Sequence, residues 1–330
     1  MAMVTNAQNT FSQIGIREDL ANTVYRISPE ETPFQSNIST KGRATNRYVE
    51  WQTQELASPS QSNAQLEGDS VSASAVTQRT RIGNRCQISY TVWAVTTTSN
   101  AVDVAGVSNE MSEQKLLKGL ELKRDLEVTL TNNQAQAAGG TQTAVKLGGL
   151  PTYITNTEIG GTRYTAATGD GTDAWTLTNT TAQALTLTVL NSALKQAYID
   201  GGQPTMVMLS PDKKIDFSGL ALASSISGAA QVRQSITPTQ AASIVGSVES
   251  WMSDFGTLDV VINRQFASDT TFLDATVFMV DPRFAEVAFL EPMQERPLST
   301  EGLADESMIY CNYTLKVGAP KAHAFVPTLS

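Results

Sequence analysis

VESWMSDFGTLDVVINRQF (Val248–Phe266) and MVDPRFAEVAFLEPMQERPLSTEGLADESMIYCNYTLKVGAPKAHAFV (Met279–Val326) decide the fold of this chain. The first piece reads as strand, turn, strand. The second opens with the end of a strand at 275–281, turns at Asp281-Pro282, and carries a further strand near 306–317. Apolar and β-branched residues bounded by Gly, Pro and Asp set these expectations. Sheet text of this kind holds no catalytic grouping of its own.

Upstream, residues 43–94 give the clearest strand alternation. Val49 and Trp51 alternate with Glu50 and Gln52. On the return, Ile82, Cys86, Ile88, Tyr90 and Val92 share one face, and Arg79, Arg81, Arg85, Gln87 and Ser89 the other. Period-2 alternation predicts a half-buried strand. Between the arms lies the polar, turn-rich ASPSQSNAQLEGDSVSASA. Arms of ~14 residues at ~3.3 Å each predict a ribbon roughly 45 Å long. Two paired strands are not stable alone, so another surface must cover its apolar stripe.

Residues 98–138 predict the longest helix. Ser108 is placed to cap it, with Glu110 and Glu113 in the first turn, where the helix dipole favours anions. Met111, Leu122, Leu126 and Leu130 fall near one face, and Gly139-Gly140 is a natural stop. From Ser108 to Ala138 it would run roughly 45 Å at ~1.5 Å per residue.

Residues 141–250 read as a separate α/β unit. Leu187, Leu190, Leu194 and Tyr198 keep helical spacing up to Gly201-Gly202. Thr205–Leu209 reads as a short buried strand, and Ser210-Pro211-Asp212 begins a second helix. Residues 220–247 are Ala/Ser-rich and read as part helix, part loop. At the other end, residues 1–40 look extended, with Pro29 and Pro33 breaking any helix. Such an arm has no core of its own.

Charged residues make up 17% of the 330, and the net charge is −9. Uncharged polar surface suits faces that meet other protein; a polar secreted protein has the same composition. Tight duplex binding draws on clustered Lys and Arg, and no basic stripe is present. A wall that encloses DNA without gripping it fits better. Cys86 and Cys311 lack metal-type spacing and sit in apolar strand text, so they read as buried thiols of a chain made in a reducing cytoplasm. The first residues, MAMVTNAQNTFSQIG, lack the basic and apolar regions of a signal peptide, and no apolar run reaches the ~20 residues of a membrane span.

Chemistry is sparse. The single histidine, His323, has no Gly-x-Ser-x-Gly partner and reads as a surface or strand-end residue. Thr168–Asp173 (TGDGTD) lacks the ligand order of a calcium loop and reads as a turn. The Gly pairs form no phosphate loop. No catalytic residue, metal or cofactor is assigned. Arg43, Arg47, Arg79, Arg81 and Arg85 gather at the base of the ribbon. A nucleic-acid patch is one reading; in an acidic chain, arginine forks meeting a neighbour's carboxylates is the better one.

Several pieces resemble the tailed-bacteriophage major capsid proteins of the Hong Kong 97 fold: Ser253–Gly256, Val260–Arg264, Phe289–Met293, Tyr313–Val317, and near the start VYRISPEETPFQSNI (24–38). The resemblance covers most of the chain in order and is weakest across 155–180, where the chain carries an insertion of its own. It implies an α+β fold: an N-terminal arm (1–40), an extended β-hairpin loop (41–97), a peripheral domain with a long spine helix (98–140), an axial α/β domain (141–250), and return strands of the peripheral domain (251–330). It implies a subunit, not an enzyme, that self-assembles as hexamers and pentamers into an icosahedral head around double-stranded DNA. Assembly would occur in the bacterial host cytoplasm, with portal, scaffold and decoration proteins as further partners and only weak contact to DNA. A tail-tube or decoration subunit is the alternative. Inter-subunit contacts are expected at Phe34, Arg43, Arg47, Val49, Trp51, Arg79, Arg81 and Arg85. The Lys–Asn cross-link known in the wider fold has no matching motif here.

Overall fold

A computed structural model describes residues 28, 30–68, 70, 73, 75–155, 164–165, 167–177, 184–222, 249–269, 272–299 and 302–327. The arm up to residue 27, residues 156–163, 166 and 178–180 of the expected insertion and the Ala/Ser-rich segment 223–248 lie outside the described residues.

In chain order the elements are α1 (Pro33–Asn37), β1 (Ser39–Arg43), β2 (Tyr48–Thr53), β3 (Thr80–Arg85), β4 (Gln87–Thr96), α2 (Thr97–Ala101) and α3 (Glu110–Thr131). Then come β5 (Tyr164–Thr165), β6 (Thr176–Leu177), α4 (Leu187–Ile199), β7 (Met206–Leu209), α5 (Pro211–Leu222), β8 (Ser250–Ser253) and β9 (Gly256–Ile262). The chain closes with β10 (Val277–Val280), β11 (Ala285–Pro297), β12 (Ala304–Val317) and β13 (Ala324–Val326).

Two sheets carry the architecture. One has the order β1-β11-β12-β4, and α3 packs on one of its faces. The other has the order β13-β10-β7-β9-β8, with α4 and α5 packed on it. The short pairs β2-β3 and β5-β6 complete the pairing. The expected boundary at residue 250 does not survive this pairing: β8, β9, β10 and β13 all join the sheet of β7. Strands far apart in sequence pair here, and local text carries no sign of that.

The central strands are apolar throughout because both of their faces are covered. Met206, Met208, Phe278 and Val280 point into the larger core, which also takes Leu122, Leu126 and Leu130 of α3 and Tyr313 and Leu315 of β12. Val207, Leu209, Val277 and Met279 point the other way, onto Leu190, Leu194 and Phe217 of the helices. Adjacent residues of a strand face opposite sides, so one run of text serves two cores.

The long helix is shorter than expected. Asn109, not Ser108, caps it by accepting from the Ser112 N–H at 2.9 Å, while Glu110 and Glu113 occupy the first turn. It ends at Thr131, so its 22 residues span about 33 Å. Beyond it, polar side chains exchange helical bonds for tertiary ones. Asn133 trades two hydrogen bonds with the main chain of Trp175, at 2.8 and 2.9 Å. Gly149 passes so close that an added Cβ would lie 1.8 Å from the Asn132 carbonyl oxygen.

Pro33 opens α1 rather than preventing it, since its ring suits the first helical position. β11, thirteen residues long, was hidden by Pro292: its pairing with β12 shifts register between Phe289 and Glu291 and again between Glu291 and Gln294. A proline is tolerated at such an irregularity. His323 is a strand-end residue but not a surface one. It is fully buried ahead of β13, and its Nδ1 accepts the Asp281 N–H at 3.2 Å.

Candidate assembly interface

The ribbon is built in two parts. Its base belongs to the body. β2 and β3 pair over six residues, from Tyr48 opposite Arg85 to Thr53 opposite Thr80, about 20 Å of ladder rather than 45. Trp51 lies 5.9 Å from the Tyr153 ring and joins the larger core. Asn84 is fully buried; its Nδ2 donates to the Gly148 and Leu315 carbonyls at 3.0 and 2.7 Å, and its Oδ1 accepts the Gly148 N–H at 2.8 Å. Lys321 pairs with Glu55 at 2.7 Å.

The outer part lies beyond that ladder. Between Thr53 and Thr80 no described residue is in a strand, and Leu56, Leu66 and Val76 are 97%, 81% and 78% exposed.

The face of β4 is inverted relative to its apolar pattern. Ile88, Tyr90 and Val92 point outward and are 63%, 64% and 43% exposed. They stand opposite Asn312, Tyr310 and Met308 of β12, so the apolar stripe runs on across the sheet. The inner face carries Gln87, Ser89, Thr91, Trp93 and Val95. Ser89 meets the Tyr313 hydroxyl at 3.2 Å, Thr91 donates to the Lys118 carbonyl at 3.4 Å, and Trp93 Nε1 donates to Met111 Sδ at 3.2 Å. Partners on α3 and β12 satisfy these polar groups, which frees the apolar side to face out. The switch occurs at Cys86, which separates β3 from β4 with its N–H donating to the Arg47 carbonyl at 2.8 Å.

The expected contact residues divide accordingly. Phe34 and Trp51 are buried within their own chain, so their apolar surface is spent there. Val49 is half-buried against a small cluster of Ala44, Cys86, Ala288 and Leu290. Arg43, Arg47, Arg79 and Arg81 are exposed. Arg79 donates to Gln54 and Gln52 at 3.3 and 3.4 Å, Arg81 pairs with Glu50 at 3.0 Å, and Arg85 lies over the Tyr48 ring at 4.9 Å. These contacts straddle the ribbon strands and leave much of the guanidinium surface open.

Among the described residues no group of His, Cys, Asp and Glu is arranged to hold a metal, and no helix is long and apolar enough to cross a membrane. Asp170 accepts from the Thr172 N–H at 2.9 Å and from the Thr168 hydroxyl at 2.7 Å, the bonding of a turn. Burial pushes the Cys86 thiol up to about 11 and the Cys311 thiol up to about 12. Burial also lowers His323 to about 4, against the charge of Asp281. Two residues that sequence reasoning missed are Asn84 and Glu127. Glu127 is fully buried on α3 and accepts from the N–H groups of Phe34 and Gln35. Nothing in the sequence sets it apart from the other acidic residues of that helix.

The overall fold recurs in solved structures. A chain from Gordonia phage Cozz matches with a TM-score of 0.59 at 11% identity, covering 100% of this chain and 98% of that one. A chain from Mycobacterium phage Bobi matches at 0.57 and 15% identity, covering 94% and 95%. The capsid of a native GTA particle matches at 0.59 and 9% identity, covering 96% of each. The chain therefore has an α+β fold of the Hong Kong 97-like kind. Residues 3–330 match the family model of the SU10 major capsid protein, and the chain belongs to that family. The major capsid protein of Escherichia phage Phieco32 is 33% identical over 127 residues, which cover 38% of this chain and 36% of that relative's length.

Proposed function

We propose that this chain is the repeating subunit of an icosahedral head that encloses the double-stranded DNA of a tailed bacteriophage. The observation that carries the reading is the family match over residues 3–330, joined to a fold that leaves a strip of apolar sheet uncovered. The five-stranded unit with α4 and α5 packs around local five- and six-fold centres. The four-stranded sheet with α3 forms the periphery. The outer ribbon and the N-terminal segment cross to neighbours, and Arg43, Arg47, Val49, Arg79, Arg81 and Arg85 meet them there.

Stable interfaces bury on the order of 1,200–2,000 Å². A subunit with a protruding ribbon spreads that area over several partners, and modest contacts then reinforce one another through multivalency. Shell formation is steeply concentration-dependent on this account. With a net charge of −9, the wall touches packaged DNA weakly and without sequence preference. Assembly takes place in the host cytoplasm, with portal, scaffold and decoration proteins as further partners. A tail-tube or decoration subunit is disfavoured, since the chain's family is one of major capsid proteins.

Electron microscopy of the purified chain tests the proposal. Shells or rings of five and six subunits are expected. Tubes, or single subunits at every concentration, would refute it.

A further inference from the structure

α3 buries an apolar stripe of Leu122, Leu126 and Leu130, yet beside Leu126 it also buries Glu127 completely. Burial raises the pKa of this carboxyl, and the N–H groups of Gln35 and Phe34 oppose that rise. An apolar residue there would avoid the desolvation cost. What the carboxylate gains is three donors: Phe34 N–H at 2.7 Å, Gln35 N–H at 3.0 Å and Asn263 Nδ2 at 2.8 Å.

The first two belong to the opening turn of α1, whose N–H groups have no partner inside the helix. α1 has five residues and no side-chain cap at Thr32, and a helix this short does not persist unaided. Glu127 supplies the missing cap from a helix some 90 residues later. Gln35 Nε2 also donates to the Lys123 carbonyl at 2.9 Å, and the Phe34 ring is fully buried. Upstream the hold is much weaker: Glu31 meets Arg264 at 3.4 Å across two exposed side chains, and its carbonyl accepts from Gln265 Nε2 at 3.4 Å. Ion pairs exposed to this degree contribute little. Among the described residues the strong, buried grip on the chain begins at Phe34. Asn263 ties the same carboxylate to the end of β9, with its own N–H on the Leu209 carbonyl at 2.9 Å.

We infer that Glu127 is a positioning residue for assembly: its carboxylate clasps residues 33–37 and so fixes the point from which the segment before them can reach a neighbouring subunit. This rests on the shell reading above. A carboxylate that merely stabilised the fold would do so without directing that segment.

The test uses the full chain with Glu127→Gln, which keeps the shape but turns one oxygen into a donor facing N–H groups. Glu127→Asp serves as the second variant; it keeps the charge but withdraws its reach, and its readouts count should the first not fold. Asn263→Ala is the control that removes the third donor without touching α1. Losing charge-assisted bonds should speed hydrogen exchange across residues 30–38 by about tenfold or more while the rest of the chain stays protected. The Glu127 variants should give few or misshapen shells, and Asn263→Ala should keep both the protection at 30–38 and regular shells. Unchanged exchange at 30–38, regular shells from the Glu127 variants, or equal shell loss in Asn263→Ala with 30–38 still protected would overturn the inference. If the unaltered chain forms no shells, the shell reading itself fails, and the exchange result still decides the clasp.

Discussion

Asn84 and Gly148 exchange two hydrogen bonds, side-chain amide against peptide, at 2.8 and 3.0 Å, in a site with no solvent access to Asn84. Together with the bond from Asn84 to the Leu315 carbonyl, this joins the ribbon base to the body at one residue. Asn84→Ala leaves the peptide N–H groups of Gly148 and Arg85 and two carbonyls without that partner. Unpaired buried groups make the expected loss about 2–4 kcal/mol. Denaturant unfolding of the unassembled variant measures it; a loss under ~1 kcal/mol would show that the joint is dispensable.

His323 sets an acid limit on stability. Its folded value of about 4 lies below the ordinary 6.5, because burial disfavours the imidazolium more than Asp281 favours it. The unfolded chain therefore takes up a proton at a higher pH than the folded one. Stability from this group is complete above pH 6.5 and is lost as pH falls toward 4, about 3 kcal/mol at ~1.4 kcal/mol per unit. Asp281 itself stays ionised across this range: burial pushes it up, but its bonds from Arg283 outweigh that and hold it low. His323→Asn offers an oxygen to the Asp281 N–H and has no proton to gain. The pH dependence between 6.5 and 4 should flatten in that variant, and an unchanged slope would contradict the assignment.

The two thiols should be silent in the native chain. Both are buried, and with values near 11 and 12 they remain protonated at pH 8. Only the thiolate is an effective nucleophile. Alkylation at pH 8 should label neither cysteine in the folded chain and both in denaturant. Rapid native labelling of Cys86 would mean that the junction between β3 and β4 opens.

What could be read from sequence was what local periodicity controls. The helix from Leu187, the buried strand ending at Leu209 and the proline-led helix after Ser210 all stand as expected, because spacing and capping residues act within a few positions. The apolar stripe of β4 was legible; what holds its polar side inward was not, since the partners of Thr91 and Trp93 lie on α3. β11 was masked by Pro292, whose cost disappears at an irregular register. The membership of β10 and β13 in the sheet of β7 depends on Phe278 pairing with Met208 and Val326 with Val277, spans that no short window along the chain contains. Among the residues expected at contacts, Arg43, Arg47, Arg79 and Arg81 are exposed and Arg85 is half-buried. Phe34 and Trp51 were read as outward because large apolar residues in an arm and a ribbon give no sign of which body they fill.

Arg79 and Arg81 are exposed, with hydrogen bonds or an ion pair only to the ribbon's own Gln52, Gln54 and Glu50 among the described residues. Exposed pairs of this kind contribute well under ~1 kcal/mol to folding. Charge reversal at both positions should leave the thermal midpoint within a few degrees of the parent and reduce particle formation. Regular particles at parental yield would remove these residues from the interface.

The account depends on apolar surface that one copy leaves in water and other copies cover. Radical footprinting of Tyr90 and Leu56 measures that surface directly, in dissociated subunits and in purified particles. Both side chains, 64% and 97% exposed in the single chain, should lose most of their labelling in particles. Equal labelling in the two states would contradict the account.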